Sequence, residues 1–226
     1  MLHLIETEDG SHTLRDDELD ETYHSIHGAI QESNHIFIEN GLHYYIEKRR
    51  PESIRILEVG FGTGLNALLT CLDDRTNGLP IFYDAVEAFP LSQRLADQLN
   101  YPDCLRIPEA QVILRKMHKA AWDEITKINQ RFTLQKINKT IQSLVLEEEC
   151  YDIVYFDAFA PSKQPGIWNF KILSPVIRAI KPEGILVTYC ARGQFKRDLK
   201  TLHMEVKSPS GPPGKLEMVR ATRHIF

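Results

Sequence analysis

The tightest constraint on this chain lies in Ile54-Arg55-Ile56-Leu57-Glu58-Val59-Gly60-Phe61-Gly62-Thr63-Gly64-Leu65-Asn66. There an apolar, β-branched run meets three glycines at every second position and passes straight into a helix-forming stretch, Leu65–Leu72. The pattern reads as strand, tight turn and helix, with a ligand at the turn. Glycine tolerates positive φ and close approach of a ligand, and a helix start leaves amide N–H groups without partners. A dinucleotide fingerprint would set its third glycine one place later, where Leu65 stands, so the spacing argues against that ligand class.

The rest of the chain extends this unit. Ile81–Ala88 reads as a second buried strand, reached through a turn over Asn77–Pro80, and it ends in Glu87. That acid lies about 20 residues past the glycine turn, where nucleotide folds place a carboxylate on ribose hydroxyls. Phe132–Ile137 is a weaker third strand, Tyr151–Phe156 a fourth that ends in Asp157, and Gly184–Cys190 a fifth after a helix over Leu173–Ile180. Met204–Lys207 and Lys215–Ala221 read as a closing pair. Strands alternating with helices, then a late hairpin, predict an α/β chain with a doubly wound, Rossmann-like sheet and an antiparallel edge. In such sheets ligands sit at the carboxyl ends of the strands, which puts the glycine turn, Glu87 and Asp157 on one rim.

Residues 1–50 read as an N-terminal extension packed on the main domain, which is expected to span 51–226. The extension holds a hairpin around Glu8-Asp9-Gly10, a helix over Ala29–Phe37 and another over Asn40–Lys48 closed by Pro51. Residues 90–131 read as a helical insertion whose longest helix covers Glu109–Thr126.

Composition narrows the function classes. No apolar run approaches the ~20 residues that span a bilayer, and Met1–Asp9 lacks a basic start and an apolar stretch, so a cytoplasmic protein without a membrane partner is expected. The four cysteines are scattered, and His24, His27 and His35 have no ligand partners at a recognised spacing, so no metal is expected. The net charge of −4 is unevenly spread: Lys163–Phe226 carries 12 Lys/Arg against 4 Asp/Glu. A basic carboxyl-terminal third suits a polyanion.

Asp157, at the end of a buried strand, is the candidate catalytic group. For an in-line displacement on a ligand bound at the glycine turn, a protein must align the nucleophile and exclude water. A carboxylate can orient the lone pair of an amine. With an ordinary pKa near ~3.9 it is a poor base for an ammonium, which favours orientation over full proton abstraction.

Glu58 with the glycine spacing resembles motif I of the S-adenosylmethionine-dependent methyltransferases, and longer segments narrow the likeness. Asp157-Ala158-Phe159-Ala160-Pro161-Ser162-Lys163-Gln164-Pro165-Gly166-Ile167-Trp168 resembles the Asp-Gly-Phe-Ala-Pro-Ala-Lys-Asn-Pro-x-Met-Trp segment of the MnmC-type tRNA methyltransferases. Glu32-Ser33-x-His35-Ile36-Phe37, Glu87-Ala88-Phe89-Pro90-Leu91 and Gly214-Lys215-Leu216-Glu217-Met218 are similar to further segments of that family. The likeness runs from about Tyr23 to Arg220. It implies a class I methyltransferase fold and S-adenosyl-L-methionine as cofactor. The implied reaction is methylation of the aminomethyl group of 5-aminomethyl-2-thiouridine at the tRNA wobble position.

The resemblance also implies cofactor contacts from Glu58, Gly60, Phe61, Gly62, Thr63, Gly64, Asn66, Glu87, Ala88 and Asp157. Asn138 stands where the family's bifunctional members carry an acid after the third strand. Substrate contacts are expected from Tyr23, Glu32, Phe159, Pro161 and Trp168, the aromatics as stacking faces for an extruded base. Lys163, Arg192, Lys196, Arg197, Lys200, Lys207 and Lys215 are candidates for tRNA phosphates. The family's larger members fuse a flavin-dependent domain behind the methyltransferase, so a chain of this length is expected to hold no flavin and to rely on a separate flavin-dependent tRNA-modifying enzyme. An aminopropyltransferase, another small-amine methyltransferase and a non-catalytic RNA-binding module are the alternatives.

Overall fold

A computed structural model describes residues 1–76 and 78–224; the expected turn over Asn77–Pro80 therefore begins at a residue outside them. Strands β1 (Leu2–Glu6), β2 (His12–Asp16) and β3 (Glu21–Thr22) form a small antiparallel sheet. It docks on the insertion, where Asn100 accepts the His12 N–H at 2.7 Å and donates to the Gly10 carbonyl at 2.9 Å.

The expected pair of N-terminal helices is one continuous helical run. It comprises α1 (Ala29–Ser33), a π-helical segment (Asn34–His43) and α2 (Tyr44–Arg49), with αR dihedrals at both junctions. Asn40 supports the widened turns by donating to the His35 carbonyl at 2.9 Å. Gly41 lets the run lie close on the sheet, since a Cβ there would stand 3.1 Å from Val187 and 3.2 Å from Tyr155. Arg50, at φ 47°, ends the helix before Pro51.

The main sheet is built from β4 (Ile54–Val59), β5 (Ile81–Val86), β6 (Ile125–Lys127), β7 (Phe132–Ile137), β8 (Tyr151–Phe156), β9 (Ile180–Thr188), β10 (Met204–Lys207) and β11 (Val219–Arg223). Among the described residues the order is β10-β11-β9-β8-β4-β5-β7-β6. The five strands from β9 to β7 are parallel, β11 runs against β9, and β6 runs against β7. This is a doubly wound α/β sheet, as the alternating pattern predicts, with antiparallel strands at both edges.

Alternate residues of the central strands enter opposite cores. Ile54, Ile56, Ile153 and Tyr155 pack under the π-helical segment, α3 (Leu65–Leu72) and the insertion, while Leu57, Val59, Val154 and Phe156 pack under the helices of the other face. The insertion comprises α4 (Gln93–Ala96), α5 (Tyr101–Leu105) and α6 (Ala110–Lys119). The helix expected to reach Thr126 ends at Lys119 because Ala120 turns to ψ 136° and residues 125–127 pair with β7 instead. Helices α7 (Phe170–Ala179) and α8 (Gly193–Thr201) complete the second layer.

Candidate active site

Register aligns the site. Val59 pairs with Val86 and with Phe156, and Val86 pairs with Ile137, so Gly60, Glu87, Asp157 and Asn138 each stand one residue past a common level. Because β4 lies between β5 and β8, the chain reverses direction of winding there, and a crevice opens beyond the strand ends. A cavity of about 1270 Å³ occupies it. Its wall includes Tyr23, Glu32, Gly60, Phe61, Gly62, Thr63, Asn66, Glu87, Ala88, Asp157 and Phe159.

The glycine loop is shaped by contacts that a side chain would destroy. Gly60 has φ 98°, and a Cβ there would stand 2.4 Å from the Asp157 carbonyl oxygen. At Gly62, φ 49°, a Cβ would press against the Tyr23 ring at 3.2 Å. Glu87 tethers the loop, accepting the Gly62 N–H at 3.0 Å with one oxygen and the Phe89 N–H at 2.9 Å with the other. Burial raises its carboxyl pKa while these backbone N–H groups oppose the rise. The loop, the carboxylate and the open volume fit a nucleoside whose ribose lies against Glu87.

Behind the loop, Asn66 on the first turn of α3 joins two acids. Its Nδ2 donates to Glu58 at 3.0 Å and to Asp157 at 2.8 Å. Glu58 is fully buried, and burial first, then the charge of Asp157, pushes its carboxyl well above the usual range. Asp157 is pushed up to about 7, by burial and then by the charge of Glu32, against the Asn66 hydrogen bond and the Lys215 charge. An aspartate near neutrality can hold or accept a proton, which removes the objection that an ordinary carboxylate is too weak a base.

Other expected residues lie elsewhere. Trp168 is 6% exposed, packs against Phe156 at 4.9 Å and Phe195 at 5.2 Å, and donates its indole N–H to the Phe159 carbonyl at 2.7 Å. It braces the Asp157–Trp168 loop from within the core, so its expected role as a stacking face is corrected. Asn138 donates to the Glu87 carbonyl at 3.0 Å and stands outside the cavity lining, which Lys139, Thr140, Ile141 and Gln142 supply on that side. Gly64 is outside the lining too, where its φ of 75° starts α3. Lys163 pairs with Asp20 at 3.7 Å, Lys196 donates to Glu217 at 2.6 Å, and Arg197 donates to Gln194 at 2.8 Å. These three, with Pro161 and exposed Arg192, are off the cavity wall. The three histidines are engaged separately, His24 with Thr13, His27 with Glu8 and His35 with the Ser210 carbonyl. Among the described residues no cluster of His, Cys, Asp and Glu could hold a metal.

Tyr189 and His24, not singled out as site residues from the sequence, also line the cavity. Tyr189 directly follows β9, so the strand-end rule that found Asp157 could have found it. His24 sits where no strand end points, and only the docking of the N-terminal sheet brings it in.

Comparison with known proteins agrees with this geometry. A family model described as S-adenosyl-L-methionine-dependent methyltransferase matches residues 107–224. The tRNA 5-methylaminomethyl-2-thiouridine biosynthesis bifunctional protein MnmC of Hydrogenovibrio crunogenus is 27% identical over 207 residues, covering 88% of this chain and 31% of that protein. Its namesake from Cupriavidus necator is 28% identical over 216 residues, covering 90% of this chain and 32% of the relative. The chain thus spans about a third of the length of the curated relatives it matches. The crystal structure of MNMC2 from Aquifex aeolicus superposes with a TM-score of 0.79 at 25% identity, covering 100% of this chain and 73% of that one. With a glycine loop and two strand-end acids facing one cavity, and a family match over more than half its length, the chain belongs to the S-adenosyl-L-methionine-dependent methyltransferases.

Proposed function

We propose that the chain methylates the exocyclic amine of 5-aminomethyl-2-thiouridine at the wobble position of tRNA. The observation that carries this reading is Asp157, a carboxyl near neutrality at the cavity wall, held by Asn66 and level with the glycine loop. The MnmC relatives carry the matching reaction in their names, and the twelve-residue likeness from Asp157 to Trp168 supports the same substrate.

In this reading Gly60, Phe61, Gly62 and Thr63 cradle the cofactor, Glu87 with Ala88 receives the ribose hydroxyls, and Ile141 with Gln142 walls the base. Glu58 and Asn66 act from behind. When bound, S-adenosyl-L-methionine supplies an electrophilic methyl group on sulfur. Asp157 accepts a hydrogen bond from the incoming amine, directs its lone pair across the cavity and takes up one proton. Tyr23 and Phe159, in edge-to-face contact at 4.9 Å, narrow the mouth and exclude water. The basic carboxyl-terminal face, with Arg192, Lys196 and Arg197, docks the tRNA backbone through phosphate contacts. A flavin-dependent activity that exposes the amine would act upstream of this one, in line with relatives named as bifunctional, and a cytoplasmic location follows from the tRNA substrate. Among the described residues no helix is long and apolar enough to cross a membrane.

Asp157→Ala tests the assignment. Methyl transfer to tRNA in a single-turnover assay should be lost, while calorimetry should find cofactor affinity changed by no more than a few fold. Turnover at the wild-type rate would remove Asp157 from the mechanism.

A further inference from the structure

One wall of the cavity holds a complete ammonium site that the chain fills itself. Glu32, Asp157, Tyr189 and Lys215 all line the cavity. The Lys215 ammonium donates to Glu32 and lies 4.2 Å from the centroid of the Tyr189 ring. Glu32, with a side chain 7% exposed, accepts the Ser25 N–H at 2.7 Å with its second oxygen, so both of its oxygens are engaged. The Tyr189 hydroxyl donates to the Ala158 carbonyl at 2.7 Å, which fixes the ring beside the residue that follows Asp157. A carboxylate below and an aromatic face beside it are the groups that bind alkylammonium ions.

We propose that Lys215 is a positioning residue for the nucleophile, its fixed positive charge on Glu32 and Tyr189 keeping the substrate amine in its uncharged form beside Asp157. This rests on the amine-methylation reading above. Without Lys215, the carboxylates of Glu32 and Asp157 would together favour an incoming ammonium, and an ammonium has no lone pair to offer. With Lys215 seated, Glu32 is neutralised and a second cation is repelled. An arriving ammonium gives one proton to a carboxylate oxygen of Asp157, and the N–H electron pair stays on nitrogen as the lone pair of the neutral amine.

The other groups facing Lys215 do not supply this charge. His24, from the segment after β3, is pushed down to about 4 by burial and is neutral at physiological pH. The Cys190 thiol at the end of β9 is pushed up by burial and stays protonated. His27 packs against the backbone of Gly214 and pairs with Glu8 on its far side. Glu21 adds negative charge toward Tyr189, and Glu58, joined to Asp157 through Asn66, is pushed by burial toward its protonated form; Lys215, Glu32 and Asp157 supply the charges the proposal uses.

The test compares pH profiles of single-turnover methyl transfer to tRNA carrying 5-aminomethyl-2-thiouridine for wild type, Lys215→Met, Lys215→Arg and Glu32→Gln, with cofactor binding measured alongside. The acid limb should move up by about one pH unit in Lys215→Met and down by a similar amount in Glu32→Gln, as loss of one neighbouring charge requires. Lys215→Arg should restore the wild-type limb. Opposite displacements from two partners of one ion pair are a signature that general damage to the fold cannot produce. A rise in KM for tRNA that is equal at every pH would make Lys215 a phosphate contact and overturn the proposal. Unmoved limbs with weakened cofactor binding would make the pair structural and overturn it as well. Wild-type protein that leaves the tRNA unmethylated overturns the reading and this inference together, whereas wild-type transfer with unmoved limbs overturns the inference alone.

Discussion

Asp157→Asn should separate the stability of this fold from its chemistry. The Asp157 carboxyl stands at about 7 against an ordinary 3.8. Below about pH 4 the folded and unfolded chains both hold its proton, so it contributes nothing to the balance. Between 3.8 and about 7 the folded chain keeps a proton that the unfolded chain has released, so stability falls as the pH rises through that window. Above it, both states are ionised and the cost is complete. Full shielding from water would make that cost ~4 kcal/mol. The group faces an open cavity, and screening brings it to about 2 kcal/mol. An asparagine can turn its amide oxygen to Asn66 and keep the hydrogen bond without the charge. Urea unfolding of both proteins at about pH 4.5 and about pH 8.5 should find the variant's advantage growing by ~1 to 2 kcal/mol toward the higher pH, with unchanged m-values. Parallel pH dependences would refute the argument, because they would mean that the carboxylate is as well solvated in the fold as in the unfolded chain.

Further outcomes follow from the same geometry. Gly60→Ala sets a Cβ 2.4 Å from the Asp157 carbonyl, so calorimetry should find S-adenosyl-L-methionine binding weakened at least tenfold; intact affinity would show that the loop adapts. Trp168→Ala should cost ~3 to 5 kcal/mol in urea unfolding, as emptying an aromatic core position does, while a loss below ~1 kcal/mol would return Trp168 to the candidate stacking faces. Asn66→Ala removes the amide between two acids, and the acid limb of the transfer rate should move to higher pH as Asp157 loses a hydrogen bond that lowers its pKa; an unmoved limb would show that the bridge is dispensable.

The rim of the site was legible because each of its residues ends a strand. Gly60, Glu87 and Asp157 all follow apolar runs, and the rule that ligands gather at strand ends needs only that pattern. Side-chain direction was not legible. Trp168 shares the loop after β8 with Phe159 but turns into the core, where it packs with Phe156 and Phe195. Lys136, on β7, is 1% exposed, a burial that the strand pattern alone does not reveal. It donates to the His118 carbonyl at the end of α6 and lies 4.4 Å from the Trp122 ring centroid, a placement set by the insertion. The bridge through Asn66 joins positions 58, 66 and 157, which become neighbours only once β4 and β8 pair in register. The sequence pattern divides the long helical run between Phe37 and Asn40, where the structure carries it through π-helical turns; Gly41, just beyond, serves close packing on the sheet.

The central claim is that one cavity brings a methyl donor on the glycine loop to an amine beside Asp157. Nucleoside mass spectrometry tests it most directly, on tRNA bearing 5-aminomethyl-2-thiouridine incubated with the protein and S-adenosyl-L-methionine. The account expects the wobble nucleoside to gain one methyl group on its aminomethyl nitrogen and other nucleosides to stay unchanged. An unaltered wobble nucleoside, or a methyl group carried elsewhere in the tRNA, would contradict it.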